Sequence, residues 1–391
     1  MSSASLGDTV NGASPIGVQV KHLFKVYGPN PHSAIQQLKD GSSKEALMAA
    51  SKHVAAVNDV SFSVAPGELF VIMGLSGSGK STLIRCINRL IQPTQGQVLI
   101  DGMDICAASH KSLRDARLHS IAMVFQHFAL FPHRTVIENV EFGLKMRGIP
   151  AKPRRAEASA MLTLVGLSNL ADCMPDTLSG GMRQRVGLAR ALAVKPKVLL
   201  MDEPFSALDP ITRKDLRREL LAIKQRLNTS IIFITHDIDE AIQLGDRIAI
   251  MKDGKFVQCG SGIDIVREPV DSYVANFSRD IDLAQVLDAA SIMSLLSPRS
   301  EALNSSEQTV VAESGDAFEL DISGRPTKLL TLRMKTYVET PFTTVRGETK
   351  INKLYSVCRD GATVAVTDDS GRLCGTINFV NILRALADTS R

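Results

Sequence analysis

The sequence predicts an α/β protein built on a mostly parallel sheet, with a smaller separate domain behind it. Three observations lead there. The apolar run ELFVIM (68–73) passes directly into the glycine-rich GLSGSGK, and STLIRCINRL then continues with apolar residues at helical spacing. Further short apolar runs, IAMVF (121–125), VLLMD (198–202) and IIFIT (231–235), are separated by helix-like segments, the alternation expected of parallel strands covered by helices. A chain of 391 residues, at roughly 150 per domain, has room for two or three domains.

Composition narrows the function classes. With 44% hydrophobic and 22% charged residues the chain is neither disordered nor fibrous. A net charge of +4 is too mild to call for a nucleic-acid partner. The six cysteines show no C-x-x-C or Cys/His spacing, which excludes a zinc cage and predicts reduced thiols in a cytosolic chain. There is no apolar run near the roughly 20 residues needed to span a bilayer, and the opening MSSASLGDTVNGASPIG lacks a signal peptide's regions. The expectation is a chain that neither crosses a membrane nor leaves the cell.

In chain order, residues 1–16 are polar and Ser/Gly-rich and are expected to be a flexible lead-in, with folded structure starting near Val18. Alternation in VQVKHL and VSFSV predicts strands, and between them residues 28–55 carry the helix-like stretch AIQQLKDGSSKEALMAAS, which reads as an insertion. Leu216, Leu220, Ile223 and Leu227 line one face of the helix before IIFIT, and Asp253-Gly254 marks the turn of a hairpin in RIAIMKDGKFVQCG. The core domain is expected to end near residue 280. A polar stretch at 297–315 follows, then a patterned region from about Leu329 to Ala387, read as a small domain of its own.

The run Gly74-Leu75-Ser76-Gly77-Ser78-Gly79-Lys80-Ser81 satisfies G-x-x-x-x-G-K-[ST]. Its glycines let backbone N–H groups point inward around phosphate oxygens, Lys80 adds a cation near the β and γ phosphates, and Ser81 offers a hydroxyl to magnesium. A glycine-rich turn can also join strand to helix without a ligand, but the following Lys-Ser has no purpose in such a turn. Downstream, VLLMDEP ends an apolar strand on two adjacent carboxylates. Asp202 is placed to hold magnesium through its water shell and Glu203 to polarise the water attacking the γ-phosphate. Ser179, Gly180 and Gly181 precede the helical MRQRVGLARALAV, which makes a second anion-binding helix end.

At this point the chain resembles the ATP-binding cassette ATPases over residues 17 to about 280. LSGGM resembles their signature, SALD (Ser206 to Asp209) their D-loop, His236 in FITHD their switch histidine, and Gln126 in VFQHFALFPH their Q-loop. The resemblance implies a P-loop core with an antiparallel β subdomain and a helical subdomain at about 127–180. It implies ATP contacts from Gly74, Ser76, Gly77, Ser78, Gly79, Lys80, Ser81, Thr82 and Gln126, and magnesium held by Ser81, Gln126 and Asp202. Glu203 and His236 become the catalytic pair. Tyr27 becomes the aromatic that stacks on adenine, with Phe24 as its rival. In that family two cassettes lie head to tail, so one signature per chain implies a homodimer in which Ser179, Gly180, Gly181 and Asp209 complete the partner's ATP site. Met182 departs from the commoner Gln after the two glycines.

Closer phrases, IMGLSGSGKSTLIRCINRLI and LSGGMRQRVGLARAL together with the insertion at 28–55, look like the ATPase subunit of glycine betaine/proline-type importers. That resemblance implies uptake of glycine betaine, choline or proline, with an amino acid such as histidine as the alternative. It implies transmembrane permease subunits and, indirectly, a substrate-binding protein as partners, and a peripheral location on the cytoplasmic face of the inner membrane. A soluble cassette acting on nucleic acid is disfavoured, since there is neither a sustained heptad region nor a second P-loop. Residues 281–391 are expected to regulate or dimerise, being CBS-like at about 327–388. Asn378 and Asn381 stand there where CBS nucleotide sites tend to carry Thr or Ser and Asp.

Overall fold

The computed structural model describes residues 17–226, 229–279, 281, 283–298, 308–312, 316–333, 336–358 and 362–387. The lead-in expected at 1–16, Leu227, and much of the polar stretch at 297–315 lie outside the described residues. The chain divides into two compact units, Met1–Arg279 and Asp280–Arg391.

In the first unit a six-stranded sheet runs in the order Lys255–Gly260, Arg247–Lys252, Leu69–Met73, Ser230–Thr235, Val198–Asp202, Ile121–Val124. All neighbours are parallel except the hairpin of the first two. That hairpin turns on Asp253 and Gly254, at φ 50° and 81°, as a two-residue turn with both central residues left-handed requires. Every residue of Leu69–Met73, Val198–Asp202 and Ser230–Thr235 is buried, which is why these strands read as unbroken apolar runs. Their register pairs Met73 with Thr235 and Asp202 with Ile234, so the three carboxyl ends reach the same edge of the sheet. Ligands of open parallel sheets bind beyond that edge.

A second sheet, antiparallel, runs Val54–Val64, Val18–Tyr27, Gln95–Ile100, Met103–Asp104. The insertion is two helices, Pro31–Lys39 and Lys44–Ser51, rather than one stretch. Gly41 at φ 94° breaks it, and the Ser43 side chain caps the second helix by accepting from the Ala46 amide. Ala34, Ile35, Leu38 and Leu47 form a small core of their own with Phe24, Val26 and Ala55. A helical segment follows the edge strand Ile121–Val124, with Val136–Val140, Phe142–Met146 and Ala151–Leu164 packed by Val136, Val140, Leu144 and Leu162 into the main core beside Gly180–Ala193. Leu216, Leu220 and Ile223 of the helix Pro210–Arg226 are buried as their spacing predicts.

The described residues of the second unit form two sheets. One runs Ser294–Leu295, Leu373–Ile377, Val364–Thr367, Thr343–Arg346, with the helix Ile351–Cys358 joining its parallel pair. The other is an antiparallel meander, Ser297–Pro298, Gln308–Val311, Ala317–Leu320, Pro326–Arg333, Thr336–Thr340. The strands of 326–340 thus belong to a different sheet from the β-α-β-β-α run of 343–387 that the sequence grouped with them. Asn378 and Asn381 cap the helix Phe379–Ala387 reciprocally, each side-chain oxygen accepting the other's backbone N–H at 3.0 and 2.9 Å.

Candidate functional site

Chain leaving the buried strand Leu69–Met73 has to turn within a tight space. A Cβ on Gly74 would collide with the Met251 carbonyl and one on Gly79 with the Ala56 carbonyl, and both residues take positive φ, 153° and 105°. Leu75, Ser76 and Gly77 are exposed at the crest of the loop, with Ser81 and Thr82 half-buried on the helix Lys80–Ile87 behind it. The Ser78 hydroxyl oxygen is buried without a hydrogen-bond partner, which fits a loop shaped for additional oxygens. Lys80 is buried and folds back across the loop, donating to the carbonyls of Gly74 and Leu75 at 2.8 and 3.0 Å. Burial pushes its ammonium below the usual range, while Glu203 and Asp202 act in the opposite direction.

The Ser81 hydroxyl donates to Asp202 Oδ1 at 2.8 Å, and Arg85 Nη2 lies 3.2 Å from Asp202 Oδ2. Glu203, one residue on, holds a left-handed φ of 44° that a non-glycine residue adopts rarely and at a cost. Its amide donates to the Ile234 carbonyl, and its backbone carbonyl accepts from the Ser206 hydroxyl at 3.0 Å. This places Glu203 Oε1 3.9 Å from Lys80 Nζ and Oε2 3.3 Å from His236 Nδ1. The sheet register therefore joins Lys80, Ser81, Asp202, Glu203 and His236 into one constellation from three separate strands. His236 is 56% exposed, open to a ligand above the edge.

The other predicted residues lie on separate elements, each with partners of its own. Gln126 is half-buried and follows the edge strand Ile121–Val124. Tyr27 ends its strand 42% exposed with the Lys25 ammonium 4.7 Å from its ring centroid, whereas Phe24 is fully buried in the insertion's core and presents no face for stacking. Ser179 caps the helix Gly180–Ala193 through the Met182 amide. Gly181 is buried, and a Cβ there would collide with Thr212, so its bare Cα lets the helix Pro210–Arg226 approach. Asp209 caps that second helix by accepting from the amides of Ile211 and Thr212 at 3.1 and 3.0 Å, and these bonds hold its carboxyl below the usual carboxylate range.

Sequence reasoning missed the arginines. Arg190 donates to the carbonyls of Ala129 and Phe128, residues just after Gln126 at left-handed φ of 49° and 44°, and the Arg183 guanidinium lies 5.2 Å from the Phe128 ring centroid. Their spacing of seven, two turns on one helix face, was visible, but not what that face meets. Among the described residues no group of three or more His, Cys, Asp or Glu could hold a metal. The oxygens that the structure does bring together for a cation are those of Ser81 and Asp202. That set suits magnesium, which keeps few protein ligands.

Residues 57–206 match the model of the family described as ABC transporter. The glycine betaine/proline betaine transport system ATP-binding protein ProV of Salmonella typhimurium is 51% identical over 277 residues, 71% of this chain and 69% of that protein. The glycine betaine transport ATP-binding protein OpuAA of Bacillus subtilis is 42% identical over 395 residues, 95% of this chain and 93% of that one. Among solved structures, the dimeric post-hydrolysis state of the ATP-binding cassette MJ0796 bound to ADP and Pi superposes with a TM-score of 0.54 at 32% identity, over 63% of this chain and 98% of that one. With one ATP-binding protein 42% identical over 95% of this chain and another 51% identical over 71% of it, and with the family model matching the stretch that holds the phosphate loop and the carboxylate pair, the chain belongs to the ABC transporter family.

Proposed function

We propose that this chain is the ATP-hydrolysing subunit of an importer for glycine betaine or a related quaternary amine. The observation that carries hydrolysis is the position of Glu203, whose carboxylate faces both Lys80 and His236 beyond the phosphate loop. The solute rests on likeness to relatives named for glycine betaine, one of them similar over 95% of this chain.

The loop amides from Gly74 to Lys80 and the Lys80 ammonium hold the β and γ phosphates, and Tyr27 stacks on the adenine. Ser76, Ser78 and Thr82 add hydroxyls to the cradle. Ser81, Asp202 and Gln126 would hold Mg2+, which when bound withdraws charge from the phosphate oxygens. Glu203 accepts the proton of the attacking water, and His236 fixes the γ-phosphate while orienting the Glu203 carboxylate. Positioning and charge stabilisation dominate such chemistry. Ser179 and Gly180, with Gly181 behind them and Asp209 alongside, complete the site of a second copy in a head-to-tail homodimer.

No described helix is long and apolar enough to cross a membrane. The solute path belongs to permease subunits on other chains, a reading supported by likeness to relatives named as the ATP-binding proteins of transport systems. The chain then works peripherally on the cytoplasmic face, fed indirectly by a substrate-binding protein. Residues 281–391 act as a CBS-like regulatory or dimerising domain. Uptake of labelled betaine, choline, proline and histidine, in cells dependent on this chain and at low and high osmolarity, tests the reading. Loss of betaine or choline uptake with Glu203→Gln is expected, and four unchanged uptakes would remove the solute assignment.

A further inference from the structure

The helix Pro210–Arg226 starts where the SALD segment ends, and the residue one turn inside it reaches in three directions at once. Arg213 Nη2 donates to the Leu208 carbonyl at 3.1 Å, Nη1 donates to Asp237 Oδ2 at 3.2 Å, and Nε lies 3.7 Å from Glu240 Oε1. Only a planar guanidinium offers donors in such a fixed fork. On the far side of Arg213 the bonds continue. Asp237 Oδ1 accepts the Glu240 amide at 3.2 Å, while the Thr235 hydroxyl donates to Glu240 Oε2 at 2.6 Å and accepts the Asp237 amide at 3.0 Å. The residues on both sides of His236 are therefore fixed, although His236 itself is half exposed.

On the near side, Leu208 closes the turn Phe205–Leu208, and the Ser206 amide and hydroxyl bond the Glu203 carbonyl at 3.3 and 3.0 Å. A small hollow of about 10 Å3 is lined by Glu203, Ser206, Arg213, Thr235, His236, Asp237 and Glu240. Every residue around it is polar and two are the proposed catalytic pair. Glu240 is 5% exposed, so its carboxylate depends on Arg213 and Thr235 for partners.

We propose that Arg213 is a positioning residue, locking the Ser206–Asp209 loop to the Thr235–Asp237 segment so that the loop's position sets His236 against Glu203. The proposal rests on the ATPase reading above. A shift of about 1 Å at a positioned group costs up to roughly a hundredfold in rate. The catalytic step, more than ATP binding, should carry the effect.

The test is steady-state Mg-ATP hydrolysis by the full-length protein, with ATP affinity and thermal midpoint measured on each variant. Arg213→Met keeps the apolar stem and removes the fork; Asp237→Asn keeps an oxygen to cap the next helix and removes the charge. Arg213→Met should lower kcat about ten- to a hundredfold with ATP affinity within about twofold of the parent. Arg213→Lys, which reaches one acceptor only, should recover part of the loss. The double variant should be no slower than Arg213→Met alone, because both changes break the same link. A kcat for Arg213→Met within twofold of the parent overturns the proposal. So do single effects that multiply in the double variant, and so does ATP affinity falling in step with kcat in both Arg213 variants. A parent that fails to hydrolyse ATP sinks the ATPase reading; an active parent indifferent to Arg213 sinks this inference alone.

Discussion

Gly181→Ala is a sharp test of how the signature helix is seated. The added Cβ would lie closer than 3.0 Å to the Thr212 side-chain methyl, while the other Thr212 atoms stand at 3.6 and 3.8 Å, in ordinary contact. Overpacking of this kind costs about 1–3 kcal/mol, against which alanine's better helix propensity returns up to about 1 kcal/mol. A net loss of about 1–2 kcal/mol is expected, or roughly 2–8 °C in thermal midpoint for a domain of this size. The collision is relieved if the start of Gly180–Ala193 shifts away from Pro210–Arg226, and Ser179 shifts with it. Hydrolysis should fall more than stability. Thr212→Ser removes only the offending methyl and leaves the amide that Asp209 caps. Gly181→Ala/Thr212→Ser should therefore recover both midpoint and hydrolysis, a coupling of opposite sign to the single effects. Calorimetric melting and steady-state ATPase assays read the two quantities. Purely additive effects, or an undisturbed Gly181→Ala, would show that the two helices do not meet at Gly181.

Three further substitutions probe other parts of the site. Lys80→Ala removes charged hydrogen bonds each worth about 1.5–3 kcal/mol, so ATP should bind at least tenfold more weakly by calorimetry; parental affinity would remove Lys80 from the phosphate cradle. Glu203→Gln keeps the shape and should retain ATP binding while turnover drops about a hundred- to ten-thousandfold, with an ATP-bound dimer accumulating on size exclusion; near-normal turnover would end the general-base assignment. Leu47→Ala empties a fully buried place in the insertion's core at a cost of about 2–5 kcal/mol. Because Leu47 packs with Phe24, three residues before Tyr27, the apparent KM for ATP should rise with kcat little changed, and an unaltered KM would separate the insertion from the adenine edge.

How much of this was legible in the sequence depends on where each feature's partners lie. The phosphate loop needs only its own strand, turn and helix, all within about twenty residues, and that layout was legible in the sequence. Asp202 and Glu203 were legible because an unbroken apolar strand delivers them to its end. What the sequence could not state was the register pairing Met73 with Thr235 and Asp202 with Ile234, contacts across more than thirty and up to 162 residues that make the separate motifs one site. The insertion was visible as helical, but Gly41 and the Ser43 cap, which divide it, are local signals that were passed over. The Asn378 and Asn381 spacing was likewise a cap signature in plain view.

Arg190 and Arg213 belong to another class. Among the described residues Arg190 bonds the backbone carbonyls of Phe128 and Ala129, and Arg213 takes the Leu208 carbonyl as one of its acceptors. Every residue carries a carbonyl, so such an acceptor leaves no trace in the sequence of the segment being held, and an arginine on a polar helix face reads as solvated. The chemistry of the site is therefore written in its side chains. The connections that hold the segment after Gln126, the SALD loop and the residues beside His236 are written in the fold, and only the geometry of the donors reveals them.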